Sequence, residues 1–146
     1  MSGAAPKRGS VIRYGYLWAR ESKRGQEEGR KDRPALVIAL SVQTEDGETR
    51  IFASAITHSP PFARDDAVEI PAITKRKLGL DSDPAWIVTT EVNEFVWPGP
   101  DVLPVPGRPP GTLVYGEVPD DLLQRAIKSF VENRRKQRAI VVRRSF

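Results

Sequence analysis

Two apolar runs separated by one turn signal constrain the middle of this chain. "ALVIAL" (35–40) is a continuous apolar segment of strand length, and "RIFASAIT" (50–57) is a second. Between them lies "TEDGET" (44–49), in which Asp46-Gly47 is a strong hairpin signal. Segments 35–42 and 49–57 are therefore expected to pair as antiparallel strands. In that hairpin the entrance of the first strand lies beside the exit of the second. Arg33 and Thr57 stand roughly 13 and 11 residues from the turn centre, so they become near neighbours. A guanidinium offers a fork of donors suited to phosphate oxygens, and a hydroxyl adds another. The plain alternative is a surface arginine paired with a nearby acid.

The rest of the chain reads as short strands and turns. "SVIRYGYLWA" (10–19) places Ile12, Tyr14, Tyr16 and Trp18 on one face and predicts a strand. Residues 1–8 read as a frayed end and 20–32 as a long charged loop. "HSPPFARDD" (58–66) is turn-rich, "AVEIPAI" (67–73) predicts a short strand ended or bulged by Pro71, and 74–84 a loop or one helical turn. "AWIVTTEVNEFVW" (85–97) starts as a strand. The stretch 98–111 holds six prolines and excludes a regular helix. "TLVYGEV" (112–118) suits a short strand, and 139–145 returns to strand-like residues.

One helix is clear from the pattern. Pro119, Asp120 and Asp121 form a start signal, with acids near the positive helix end. Leu122, Leu123, Ala126, Ile127, Phe130 and Val131 follow at helical spacing. The expectation is a single domain over 1–146, mainly β with one C-terminal helix, arranged as a small antiparallel barrel, with 98–111 as a proline-rich insert.

Composition narrows the chemistry. The 146 residues carry 23 Lys and Arg against 19 Asp and Glu, a formal charge of +4 that favours polyanionic partners mildly. There is no cysteine and one histidine, which excludes disulfides, thiolate metal sites and His-rich metal sites. No apolar run approaches the roughly 18 residues of a spanning helix, and a cytoplasmic location is expected. Walker loops, Rossmann glycines and a G-x-S-x-G elbow are missing, and a Ser-His-Asp triad would have to use His58, which "SPP" follows.

"RGSV" (8–11), "GQEEGRKDRPALVI" (25–38), "ASAIT" (53–57) and "AVEI" (67–70) occur in an order and spacing that resemble the MazF/PemK toxins of type II toxin–antitoxin systems. The resemblance covers roughly residues 8–95, with the helix of 119–135 in the expected late position. It implies an SH3-like barrel, a homodimer, and a metal-independent endoribonuclease that needs no cofactor. Such enzymes cut single-stranded RNA, commonly mRNA, leaving 2′,3′-cyclic phosphate and 5′-hydroxyl ends, and arrest growth unless an acidic, partly disordered antitoxin binds them. The family's catalytic Arg and Thr fall on Arg33 and Thr57. For proton transfer, Glu27 aligns with an acidic position of the family's loop, and His58 adjoins Thr57; an exposed loop histidine is the other reading of His58.

RNA contacts are expected from Arg20, Lys23, Arg24, Arg30, Lys31, Lys75 and Arg76. Trp18, Phe62, Trp86 and Trp97 are candidate base-stacking residues, although Trp86 and Trp97 also suit a core or interface. The chain departs from the compact toxins in its extra basic residues in the first loop, in "GSV" for "GDV", in the proline-rich insert and in an extended C-terminus. Two alternatives remain beside the nuclease: a non-catalytic RNA- or protein-binding barrel that retains the fold, and a structural interaction module whose basic loops only solvate the surface.

Overall fold

A computed structural model describes residues 5–23, 32–42, 45 and 47–144. The expected hairpin is its centre. Strand β2 (Arg33–Val42) pairs antiparallel with β3 (Thr49–Thr57), from Ala35 opposite Ala55 to Val42 opposite Thr49. A bulge between Val37 and Ala39 leaves Ile38 as an extra residue on β2. That one residue explains why the two arms of the hairpin differ in length. Of the turn signal, Asp46 lies outside the described residues, and Gly47 has φ 73°, a left-handed conformation that favours glycine.

Around this hairpin the described residues form β1 (Ser10–Tyr14), β4 (Ala67–Glu69), β5 (Trp86–Val88), β6 (Glu91–Val96), β7 (Val102–Leu103), β8 (Val114–Glu117) and β9 (Ile140–Arg143). The strand order is β4-β5-β3-β2-β1-β7, with β8 also on β1 and β6 on the far edge of β3. All pairings are antiparallel except β6 with β9, which is parallel. The described pairings do not close into a ring.

The 35–38 part of "ALVIAL" is apolar throughout because both of its faces are buried, while Leu40 is exposed. Leu36 and Ile38 point to one cluster with Val11, Ile87 and Val92; Ala35 and Val37 point to another with Ile12, Tyr14 and Phe95. The first cluster is covered by α3 (Asp120–Arg135) through Leu122, Leu123 and Ala126. Trp18 and Trp97 pack against the second.

Several expectations need correction. The late helix is one of three among the described residues. Helix α1 (Ala19–Lys23) occupies ground expected to be loop; the Glu21 carboxylate accepts from the Trp18 amide at 3.0 Å and ties off its first turn. Helix α2 (Ala72–Leu78) replaces the expected loop or single turn. Pro71 stops β4 and starts α2 because it lacks an N–H for a ladder but suits a helix start. Gly79, with φ 76°, closes α2 with its amide on the carbonyls of Lys75 and Arg76.

The first strand ends at Tyr14 rather than continuing to 19, since the Gly15 amide turns away to the Asp101 carbonyl at 2.9 Å. Segment 85–97 is two strands, broken where Thr89 turns back to the Asp66 carbonyl at 2.9 Å.

The residue that follows β9 is tied into the core. Arg144 is buried and donates to the Tyr14 hydroxyl (2.9 Å), the Gly15 carbonyl (3.0 Å), the Asn93 amide oxygen (3.1 Å) and the Asp101 carboxylate (2.8 Å). It thereby joins β9 to the proline-rich segment. Among the described residues, no helix is long and apolar enough to cross a membrane.

Candidate functional site

At the end of the sheet where β2 begins and β3 ends lies a cavity of about 650 Å³, bordered by Arg33, Thr57, Trp18 and Arg20 among others. The hairpin builds this end. Continuing the Ala35–Ala55 register by two residues sets Arg33 opposite Thr57, on the face that carries Ala35, Val37, Ala53 and Ala55. On its other edge, Arg33 stands opposite Tyr14 of β1. Both members of the pair deduced from turn geometry line the cavity.

Arg33 is half-buried, and its guanidinium sits 5.0 Å from the centre of the Trp18 ring. Arg20, exposed on α1, lies over the same ring at 5.5 Å. Among the described residues Arg33 forms no ion pair, and its buried Nε–H has no hydrogen-bond partner. The neutral alternative, an arginine sated by a neighbouring acid, is not what the described residues contain. Burial lowers the Arg33 pKa below the usual arginine range, the buried carboxylate of Glu21 works against that shift, and the Arg20 charge adds to it. The side chain remains cationic at neutral pH.

Thr57 accepts a hydrogen bond from the Ser59 amide at 3.1 Å. Its oxygen is thereby fixed in place while its own proton stays available to a ligand. His58 is exposed and held at both ring nitrogens: Nδ1 lies 2.8 Å from the Pro84 carbonyl and Nε2 lies 3.0 Å from Asp81 Oδ2. Both partners are acceptors, so this arrangement is that of an imidazolium donating twice. The Pro84 carbonyl, foremost, and then Asp81 and Asp83 raise its pKa against a smaller opposing effect of burial. In this state His58 is a proton donor rather than an acceptor.

The ligand atoms of His58, Asp81 and Asp83 lie within 4.8 Å of one another, the group among the described residues nearest to a cation site; all three are exposed.

Lys75 borders the cavity but is buried, with its ammonium on the carbonyls of Ser82 (3.3 Å) and Asp83 (2.6 Å). Together with His58 it pins the 81–84 loop that forms one wall. Arg76 and Lys23 are exposed and do not border the cavity. Glu27, Arg24, Arg30 and Lys31 lie outside the described residues.

Of the candidate stacking residues, Trp18 and the fully exposed Phe62 border the cavity. Trp97 packs on the second core cluster, away from it. Trp86 stands between Thr57 and Glu69 in the sheet and borders a neighbouring groove.

Two features escape a reading of the residues alone. Trp18 acts as a platform for two guanidiniums, and Glu21 is a buried acid beside Arg33 rather than an interruption in a basic cluster. The spacing Trp18-x-x-Glu21, half of a capping box, is the signal that points to the second.

No protein-family model, no curated protein and no solved structure matches this chain.

Proposed function

We propose that this chain is a metal-independent endoribonuclease of the MazF/PemK toxin kind, cutting single-stranded RNA, chiefly mRNA, in the cytoplasm. Its open sheet is read as a variant of the SH3-like barrel. One observation supports the reading: Arg33, whose buried Nε–H has no partner among the described residues, and Thr57 border the same cavity of about 650 Å³.

In the proposed reaction a ribose 2′-hydroxyl attacks the adjacent phosphorus. The O2′–P bond forms and the P–O5′ bond breaks, which yields a 2′,3′-cyclic phosphate and a 5′-hydroxyl. Arg33 binds the non-bridging oxygens as negative charge gathers on them, and the Thr57 hydroxyl donates to one of them. The 2′-hydroxyl must lose a proton and O5′ must gain one. Glu27 is assigned the first role by resemblance, and the second is assigned to His58, whose ring hydrogen bonds fit an imidazolium. A homodimer and an acidic antitoxin that covers the basic cavity belong to the same proposal.

A second reading, a non-catalytic RNA-binding SH3-like barrel, is favoured by one feature: among the described residues bordering the cavity, the one histidine has both nitrogens engaged. Incubation of the purified protein with single-stranded RNA in EDTA separates the two. Scission with cyclic-phosphate ends supports the nuclease; salt-sensitive binding without scission supports the alternative.

A further inference from the structure

A second groove, of about 580 Å³, runs between α3 and the β4–β5 edge of the sheet, and shares Pro61 and Ala67 with the cavity that holds Arg33 and Thr57. Its walls are built rather than incidental. Buried Asn133 of α3 donates to the carbonyls of Asp65 (2.9 Å) and Thr89 (3.0 Å), and so fixes the helix against the 64–66 turn and the strand end.

The lip along α3 is a stripe at helical spacing: Arg125, Lys128, Glu132 and Lys136. Glu132 is paired with Arg135 at 3.2 Å. Asp121 precedes Arg125 by one helical step and Glu132 follows Lys128 by one, yet neither cation takes its acid. With Arg64 on the opposite lip, beside Asp65 and Glu69, four cations border the groove without an ion pair among the described residues. Half-buried Trp86 borders it too, directly beside Thr57 in the sheet. Unpaired cations flanking an aromatic face are the chemistry that tracks a single strand: phosphates on the cations, a base on the ring.

We propose that this groove is a second subsite for single-stranded RNA, receiving the strand as it leaves the Arg33–Thr57 cavity. It rests on the ribonuclease reading and adds a path: the chain of phosphates passes Pro61 and Ala67, then follows the Arg125–Lys136 stripe. Its consequence is a preference for long strands over short ones that the cavity alone does not supply.

The test uses 2′-O-methyl RNA, which lacks the attacking hydroxyl, at about 4 and about 16 nucleotides, the span of known single-strand sites. Affinity is measured over a range of salt for the intact protein and for Arg125→Ala/Lys128→Ala and Arg125→Glu/Lys128→Glu. Both residues are exposed and unpaired among the described residues, so these variants are expected to fold, which thermal unfolding checks. The intact protein is expected to favour the long strand. Alanine shrinks that advantage and lowers the salt slope for the long strand by about 1.4, the loss of two phosphate contacts; glutamate shrinks it further.

An unchanged long-to-short ratio in both variants overturns the subsite while leaving the nuclease reading in place, provided the intact protein still cuts unmodified RNA. Equal losses for both lengths overturn it as well. Absence of affinity for either strand in the intact protein overturns the subsite, and overturns the nuclease reading too when unmodified RNA is not cut.

Discussion

The guanidinium of Arg33 rests 5.0 Å from the Trp18 ring, and its Nε–H has no partner among the described residues. The ring supports the cation without consuming its donors, whereas a carboxylate in the same place would occupy them. This is the arrangement expected of an arginine held ready for an anion. Trp18→Ala is expected to weaken the proposed cleavage by about 2- to 30-fold, the equivalent of one lost cation–π contact, with Trp18→Phe closer to the original. Single-turnover rates on a defined RNA, with thermal unfolding as a control, check this.

Glu21 is buried, holds the Trp18 amide at 3.0 Å and favours the charged form of Arg33. Glu21→Ala is expected to cost about 1–2 kcal/mol of stability through loss of the cap and its buried contacts. Glu21→Gln keeps an acceptor for the amide and costs less. Urea denaturation of the two variants side by side measures the difference; equal stabilities would contradict the capping role.

His58 gives a pH signature. Its pKa is raised in the fold, so the stability it contributes is fully present below its ordinary value of 6.5 and is lost as pH rises through the raised value. It is the chain's only histidine, which isolates the effect. The melting temperature of the intact protein should fall relative to His58→Ala as pH is raised through and above 6.5. A constant difference between the two at every pH would show that the Pro84 and Asp81 contacts do not depend on protonation.

Arg144 is a structural counterpart to Arg33: a buried cation, but one whose described partners include Tyr14, Gly15, Asn93 and Asp101. Arg144→Ala leaves the Asp101 carboxylate and the Tyr14 hydroxyl without that donor. The expected loss is about 3–5 kcal/mol, measured by chemical denaturation.

The hairpin and its consequence were legible in the sequence because they follow from local rules. An apolar run, a turn signal and a second run set a register, and Arg33 and Thr57, just beyond its Ala35–Ala55 end, line one cavity. The bulge at Ile38 was not legible, since an extra residue in an apolar run leaves the pattern intact. Helix α1 was hidden by its charge, because its start depends on a side chain three residues on rather than on periodicity. Lys75 looks like any basic surface residue, and only the packed 81–84 loop turns it inward. The parallel docking of β9 on β6 depends on contacts between segments about 50 residues apart, which no local pattern encodes.

The most direct measurement of the central claim is single-turnover cleavage of single-stranded RNA in EDTA by the intact protein, Arg33→Lys and Arg33→Ala, with analysis of the product ends. The account predicts 2′,3′-cyclic phosphates from the intact protein, a large loss with lysine because a point charge does not replace the guanidinium fork, and no cleavage with alanine in a variant that remains folded. Cleavage by folded Arg33→Ala at the rate of the intact protein would contradict it.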